Sequence, residues 1–323
     1  MSDNARVIRE FDDNALLQML LGPANTHLER IARQLGVSLM SRGNAVTIDG
    51  PAALVEEAQA VLADLYRRLS QGVPIESADI DAALRMAADG ASNADRPVYI
   101  TRKRHIAART PVQADYMRAM DGRELVFGLG PAGTGKTYLA VAKAVSMMLK
   151  GEVDRIILSR PAVEAGERLG FLPGDLRDKV DPYLRPLYDA LHDMLPGDQV
   201  AKKLAAGDIE VAPLAFMRGR TLANSFVILD EAQNTTPVQM KMFLTRLGEH
   251  SRMVVTGDLS QIDLPPGTRS GLKDALDILE TVPSIGVVHF TDRDVVRHGL
   301  VAEIVRAYDI RDRRAKDPDG DRR

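Results

Sequence analysis

Gly130-Pro131-Ala132-Gly133-Thr134-Gly135-Lys136-Thr137 is the stretch on which the fold turns. Its spacing, Gly-x-x-x-x-Gly-Lys-Thr, is that of a phosphate-binding loop. Glycines let the backbone curl around a triphosphate with its N–H groups pointing inward. The helix that follows turns its positive dipole end toward the same anion. The flanks agree with this reading. Leu125–Leu129 is an apolar run of strand character, and Lys136–Leu149 carries Leu139, Val141 and Val145 at helical spacing. All eight loop residues are therefore expected to bind ATP. Lys136 is expected to reach the β- and γ-phosphates, and the Thr137 hydroxyl to ligate Mg²⁺.

Further apolar runs lie on either side: Arg155–Leu158, Ile209–Ala212, Phe226–Leu229, Met253–Thr256 and Ile285–Phe290. Several are continuously apolar, as strands buried on both faces must be, and longer helical patterns alternate with them. This predicts an α/β fold with a parallel sheet over residues 110–310. Phe226–Leu229 runs into Asp230-Glu231-Ala232-Gln233. Asp230 is expected to hold Mg²⁺ through its water shell, and Glu231 to polarise the attacking water. Val254-Val255-Thr256-Gly257-Asp258, with Gln261 just beyond, is a third strand ending in polar residues. Ligands of open parallel sheets sit beyond the carboxyl ends of the strands, so Thr256, Asp258 and Gln261 are expected near the γ-phosphate. Gln113, in Thr110-Pro111-Val112-Gln113, has an amide that both donates and accepts, and is expected to read the adenine edge.

The front of the chain, residues 5–71, has a different texture. Arg6–Phe11 is strand-like, Asn14–Leu21 and Asn25–Leu35 are short helices, Val37–Ser41 and Ala45–Ile48 form a hairpin, and Pro51–Leu69 is a helix with an apolar stripe. This β-α-α-β-β-α order resembles a type I KH domain, in which a Gly-x-x-Gly loop between the first helices clamps a single strand of nucleic acid. Here the loop is Gly22-Pro23-Ala24-Asn25, with Asn25 in place of the second glycine. Residues 72–109 are expected to be a linker with one helical patch, Ile80–Ala88, and a basic segment, Arg96–His105. Residues 311–323 alternate charges with almost no apolar content, the composition of a disordered tail.

Composition narrows the classes. The 323 residues are 45% apolar and 27% charged, ordinary for a globular protein. The absence of cysteine excludes disulfide scaffolds, Cys-ligated zinc, iron–sulfur clusters and thiol nucleophiles. A net charge of −3 excludes an overall basic coat, though not a local basic groove. Met1–Asn14 is polar and acidic without an apolar signal core, and no run approaches the roughly 18 apolar residues of a membrane helix. The expected location is cytoplasmic, without a membrane partner.

Taken together, Gln113, the phosphate loop, Asp230-Glu231-Ala232-Gln233 and Thr256-Gly257-Asp258 with Gln261 resemble the first RecA-like domain of superfamily 1 helicases. Ser159-Arg160-Pro161, the stretch through Glu164, Gly166, Glu167, Gly170, Phe171, Pro173, Gly174 and Asp175, then Pro182-Tyr183, Pro186-Leu187-Tyr188 and Asp294-Val295-Val296-Arg297-His298 resemble the PhoH family. That likeness implies a single RecA-like P-loop NTPase domain behind a KH-like unit. It implies an ATPase linked to RNA metabolism, an RNA-dependent, helicase-like remodeller of single-stranded RNA. It also implies that Ser159-Arg160-Pro161 contacts nucleic acid.

Helicases of that superfamily place ATP between two RecA-like domains, the second supplying an arginine. Residues 110–310 make only one such domain. The resemblance therefore implies a finger from a neighbouring subunit, Arg297 first and Arg293 second, in a closed homo-oligomeric ring, expected as a hexamer. It further suggests a YbeY-type endoribonuclease as partner. Two other classes stay open: an ATP-gated RNA-binding or assembly factor for such a nuclease, and a small-molecule kinase. The pair Asp230 and Glu231 suits water as the nucleophile and sets the kinase last.

Overall fold

The computed structural model describes residues 4–88, 96–161 and 176–296, together with Ile304. The front unit runs β1 (Asn4–Glu10), α1 (Asn14–Leu21), α2 (Thr26–Leu35), β2 (Ser38–Arg42), β3 (Ala45–Pro51) and α3 (Ala52–Ser70). That is the order expected from the sequence, with α1 at the expected bounds and no boundary moved by more than three residues. The three strands form an antiparallel sheet in the order β1-β3-β2. Val46 and Ile48 of its central strand face the helices and pack with Leu17, Ile31, Val61, Leu62 and Leu65. The opposite face is open, and Ile8 and Met40 stand exposed on it.

The segment expected to be a linker is more structured than its composition suggested. Helix α4 (Ser77–Ala88) is longer than the anticipated patch, with Ile80, Ala83 and Leu84 buried in the front core. Met86 of the same helix joins the other core, so α4 staples the two units together. The basic stretch Arg96–His105 runs into a two-stranded antiparallel hairpin, β4 (Val98–Ile100) and β5 (His105–Ala107), anchored by buried Tyr99 and Ile106. Apolar side chains on alternate positions make this a packed ribbon with its charges at the turn.

The remaining elements are α5 (Pro111–Gly122), β6 (Leu125–Leu129), α6 (Lys136–Lys150), β7 (Arg155–Arg160), α7 (Leu176–Met194), α8 (Gly197–Ala206), β8 (Ile209–Pro213), β9 (Ser225–Leu229), α9 (Pro237–Leu244), β10 (Arg252–Gly257), α10 (Gly271–Leu279) and β11 (Ile285–His289). Among the described residues, six strands form a parallel sheet in the order β11-β6-β10-β9-β7-β8. Alternate side chains feed two cores. Val126, Ile156, Phe226, Ile228 and Val254 pack under α5, α6 and α7, while Phe127, Ile157, Val227, Leu229 and Val255 pack under α9 and α10. Burial on both faces is why these strands read as unbroken apolar runs. This is the RecA-like P-loop NTPase fold, with a small α/β unit before it. Its strand order matters for the site: β10 lies between the loop-bearing β6 and the acid-bearing β9, with β7 on the far side of β9.

Candidate nucleotide site

The phosphate loop leaves the end of β6 with Gly130 at φ 136°, Gly133 at 85° and Gly135 at 84°. At Gly130 a side chain is excluded twice, by the backbone angle and because a Cβ would lie 2.3 Å from the Phe290 carbonyl oxygen. Lys136 begins α6, is only 9% exposed, and donates to the carbonyls of Gly130 (2.6 Å) and Pro131 (2.8 Å). Burial holds its ammonium below the ordinary lysine value, and the charges of Asp258, Glu231 and Asp230 act against that shift.

Asp230 is buried at the end of β9, where its Oδ1 accepts from the hydroxyls of Thr137 and Thr256, each at 2.6 Å. A hydroxyl that donates to a carboxylate keeps its lone pairs, so Thr137 and Asp230 present two hard oxygens side by side at the foot of the loop. Mg²⁺ takes such donors and retains several waters and phosphate oxygens. Among the described residues no cluster of three or more His, Asp or Glu could hold a metal alone. The donor set thus fits a cation that arrives with a triphosphate. Thr137 and Asp230 would hold it, and it would polarise the terminal phosphate.

Glu231 follows with φ 53°, a left-handed backbone that a residue with a Cβ seldom adopts. The twist turns its carboxylate into the cleft. Its Oε2 accepts from Gln233 Nε2 at 2.6 Å, and its Oε1 from Arg160 Nη2 at 3.0 Å. Gln233 is buried, and its Oε1 accepts from the Asp258 backbone N–H at 3.1 Å, which links the β9 and β10 ends. Asp258 in turn accepts from Gln261 Nε2 at 2.7 Å and from the Ser260 hydroxyl at 2.7 Å. Loop, acids and polar β10 end line one cleft of about 500 Å³, whose further wall is Asp189, Ala190 and Asp193 of α7.

Of the residues singled out in the sequence, the loop, Asp230, Glu231, Asp258 and Gln261 meet in this cleft. Thr256 is different: it is fully buried and acts on Asp230 from behind. Gln113 is anchored beside the loop. It is 3% exposed, its Oε1 accepts from Arg109 N at 2.7 Å, and its Nε2 donates to the Thr134 carbonyl at 2.9 Å. Each end of the amide makes one bond to backbone, so it braces the phosphate loop, and the residue lies on the wall of the groove beside Gly133, Gly135 and Tyr138. Arg293 is exposed after β11, whereas Arg297, the first choice for a finger, lies outside the described residues, as do 162–175 and 311–323.

The comparisons with known proteins bear on the same region. The family model described as PhoH-like protein matches residues 105–309. The chain belongs to the PhoH family. A PhoH-like protein of Bacillus subtilis (strain 168) is 49% identical over 296 residues, covering 90% of this chain and 93% of that one. One of Mycobacterium tuberculosis (strain ATCC 25618 / H37Rv) is 52% identical over 295 residues, covering 90% and 84%. Protein PhoH of Escherichia coli (strain K12) is 48% identical over 205 residues, covering 63% of this chain and 58% of its own length. With 90% of the chain covered, the likeness to the Bacillus PhoH-like protein extends into the front unit. No helix among the described residues of this PhoH chain is long and apolar enough to cross a membrane.

Two groups had no assigned place in the sequence reading of the site. Gln233 was visible within Asp230-Glu231-Ala232-Gln233, but its clamp on Glu231 depends on the turn after β9. Arg160 was assigned to nucleic acid. In the PhoH fold its strand neighbours β9, and its guanidinium faces the acids of the cleft, 3.1 Å from Asp230 and 3.0 Å from Glu231.

Proposed function

We propose that this PhoH-family protein hydrolyses ATP with Mg²⁺ and couples that cycle to single-stranded RNA. The observation that carries the reading is the convergence on Asp230 Oδ1 of the Thr137 and Thr256 hydroxyls, at 2.6 Å each. It ties loop, acid strand and β10 into one rigid oxygen site beside Lys136. Glu231, on the next residue, is positioned to accept a proton from water attacking the γ-phosphate.

The RNA half of the reading is supported by charge placement. A groove of about 750 Å³ adjoins the cleft through Gly133, Gly135 and Tyr138, and its walls carry Arg68, Arg102, Lys103, Arg104 and Arg109. Glu76, Asp79 and Asp193 offset only part of that charge. A chain of net charge −3 that gathers Arg102, Lys103, Arg104 and Arg109 along one groove, with Arg68 buried behind them and paired to Asp79, suits a polyanion threading past the nucleotide. The KH-like order of the front unit points the same way. Its loop takes left-handed angles at Ala24 and Asn25, φ 49° and 63°, and leaves both exposed.

The test is steady-state ATP turnover of the purified chain with and without single-stranded RNA, alongside native mass. Mg²⁺-dependent turnover that rises with RNA in an oligomeric species is the expected result. Turnover unchanged by RNA, with RNA affinity that depends on nucleotide, would favour an ATP-gated binding or assembly factor. Turnover in a strictly monomeric species would remove the ring.

A further inference from the structure

The sheet of the front unit is covered by helices on one side only, and its register sorts the open side into three rows. Arg6, Asp49 and Ser38 make the first row, Ile8, Thr47 and Met40 the second, and Glu10, Ala45 and Arg42 the third. The residues between them along the strands, Val7, Leu39, Val46 and Ile48, pack against the helices, which fixes the three rows on the other face. The middle row is the apolar one. Ile8 is 62% exposed and Met40 57%, one on each side of Thr47. Single apolar side chains on a surface need no partner, but two in one row of so small a face make a patch.

Charge frames that patch. Arg6 and Glu10 lie two residues either side of Ile8 on β1. At four strand residues, about 13 Å, they are too far apart to pair with each other. A two-fold axis laid along the middle row removes this mismatch. It reverses the strands and folds the row onto itself, so Ile8 meets Ile8 of a second copy and Met40 meets Met40. Arg6 of each copy then falls opposite Glu10 of the other. Asp49 faces Ala45 and Ser38 faces Arg42, so no charge meets its own sign. The alternative face-to-face two-fold, along β3, sets Asp49 upon Asp49, a like-charge contact that opposes it.

We propose that this face is a self-complementary docking surface for a second copy of the chain, closed by the two-fold axis through Ile8, Thr47 and Met40. The strands of the two sheets run antiparallel and nearly aligned, about 10 Å apart, the ordinary geometry of sheet-on-sheet packing. An isologous contact of this kind closes on itself, and it needs neither nucleotide nor RNA. Three short strands cover less than the roughly 800 Å² per partner of a standard interface, so the pair is reversible, with a dissociation constant on the order of 10 to 100 µM.

The experiment exploits the absence of cysteine, since each engineered thiol is then the only one in the full-length chain. Ile8→Cys, Met40→Cys and Met19→Cys are treated at about 100 µM with a bismaleimide short enough to bridge two sheets about 10 Å apart. Met19, 52% exposed on α1 behind the sheet, is the control for chance collision. Ile8→Cys and Met40→Cys are each expected to yield cross-linked dimer at least about tenfold above Met19→Cys. In the Ile8→Cys protein, Arg6→Glu alone or Glu10→Arg alone should cut that yield about tenfold by setting like charges face to face. The two together restore the pairing with its polarity exchanged, and the yield should return to within about twofold.

Yields no higher than that of Met19→Cys overturn the docking face. Cross-linking through Ile8 without Met40 signals edge-to-edge pairing of β1 and overturns it too. Single charge reversals without effect, or a double reversal without rescue, overturn the two-fold arrangement. Met40→Cys carries no charge change, so a charge variant that fails to fold leaves that comparison to decide.

Discussion

Replacing Thr256 by Val removes a hydroxyl and little else. The side chain is fully buried, and its oxygen lies 2.6 Å from Asp230 Oδ1, a short contact between a neutral donor and an ionised acceptor. A hydrogen bond to a charged partner contributes about 1.5–3 kcal/mol, and a methyl cannot stand at that distance from an oxygen without displacing it. We take about 2 kcal/mol as the loss. For a domain of this size each kcal/mol lowers the melting temperature by about 2–4 °C, so Thr256→Val should melt about 4–8 °C below the natural chain. Thr256→Ser retains the donor and should recover most of the difference. Thermal unfolding followed by circular dichroism in the absence of nucleotide measures both. A Thr256→Val protein melting within about 1 °C of the natural one would refute the view that Asp230 is held from behind. So would Ser and Val variants equally destabilised.

Two further outcomes follow from buried charge. Asp64 of α3 is 1% exposed and pairs with Arg67 at 2.6 Å and Arg96 at 3.4 Å, and burial pushes Arg96 down to about 10. Asp64→Asn strands that guanidinium and should cost about 3–5 kcal/mol in a urea titration; a cost under about 1 kcal/mol would contradict the pairing. Lys136 sits below its ordinary value because it is buried, so on raising pH the native state releases that proton before the unfolded chain does. The nucleotide-free protein should therefore gain stability relative to a Lys136→Met variant as pH rises toward the ordinary lysine value of about 10.4, while Mg-ATP affinity falls over the same interval. Parallel pH profiles for the two proteins would show that Lys136 is not the group responsible.

The parts of this site that could be read from the sequence are those in which one short stretch carries its own geometry. Gly130 to Thr137 announces a loop and a helix start by its own glycine spacing, and Asp230 follows a strand so apolar that its burial was evident. The contact of Arg160 with the two acids was not legible because its surroundings depend on strand order. That β7 lies beside β9 is a property of the whole sheet, and Ser159-Arg160-Pro161 contains nothing local that says so. Gln113 illustrates a related point. Its position before the loop strand was legible, but its bond to the Thr134 carbonyl, which braces the loop, joins residues brought together only by folding. The 72–109 segment looked like a connector because its Gly, Pro and acidic residues dominate the composition. The few apolar residues that dock it, Ile80, Leu84, Tyr99 and Ile106, are too widely spaced to form a run.

The last strand of the sheet is more than an edge. After β11 the Phe290 N–H donates to the Leu129 carbonyl at 2.6 Å, Asp294 receives the Thr110 hydroxyl at 2.8 Å, and the Val296 N–H reaches the Gly133 carbonyl at 3.0 Å. Three successive rivets thus fasten the late part of the chain to the glycine loop after β6 and to the start of α5 beside it. Tension applied downstream of residue 296 is delivered straight to Gly133, and a shortened chain that ends before Phe290 loses all three rivets at once.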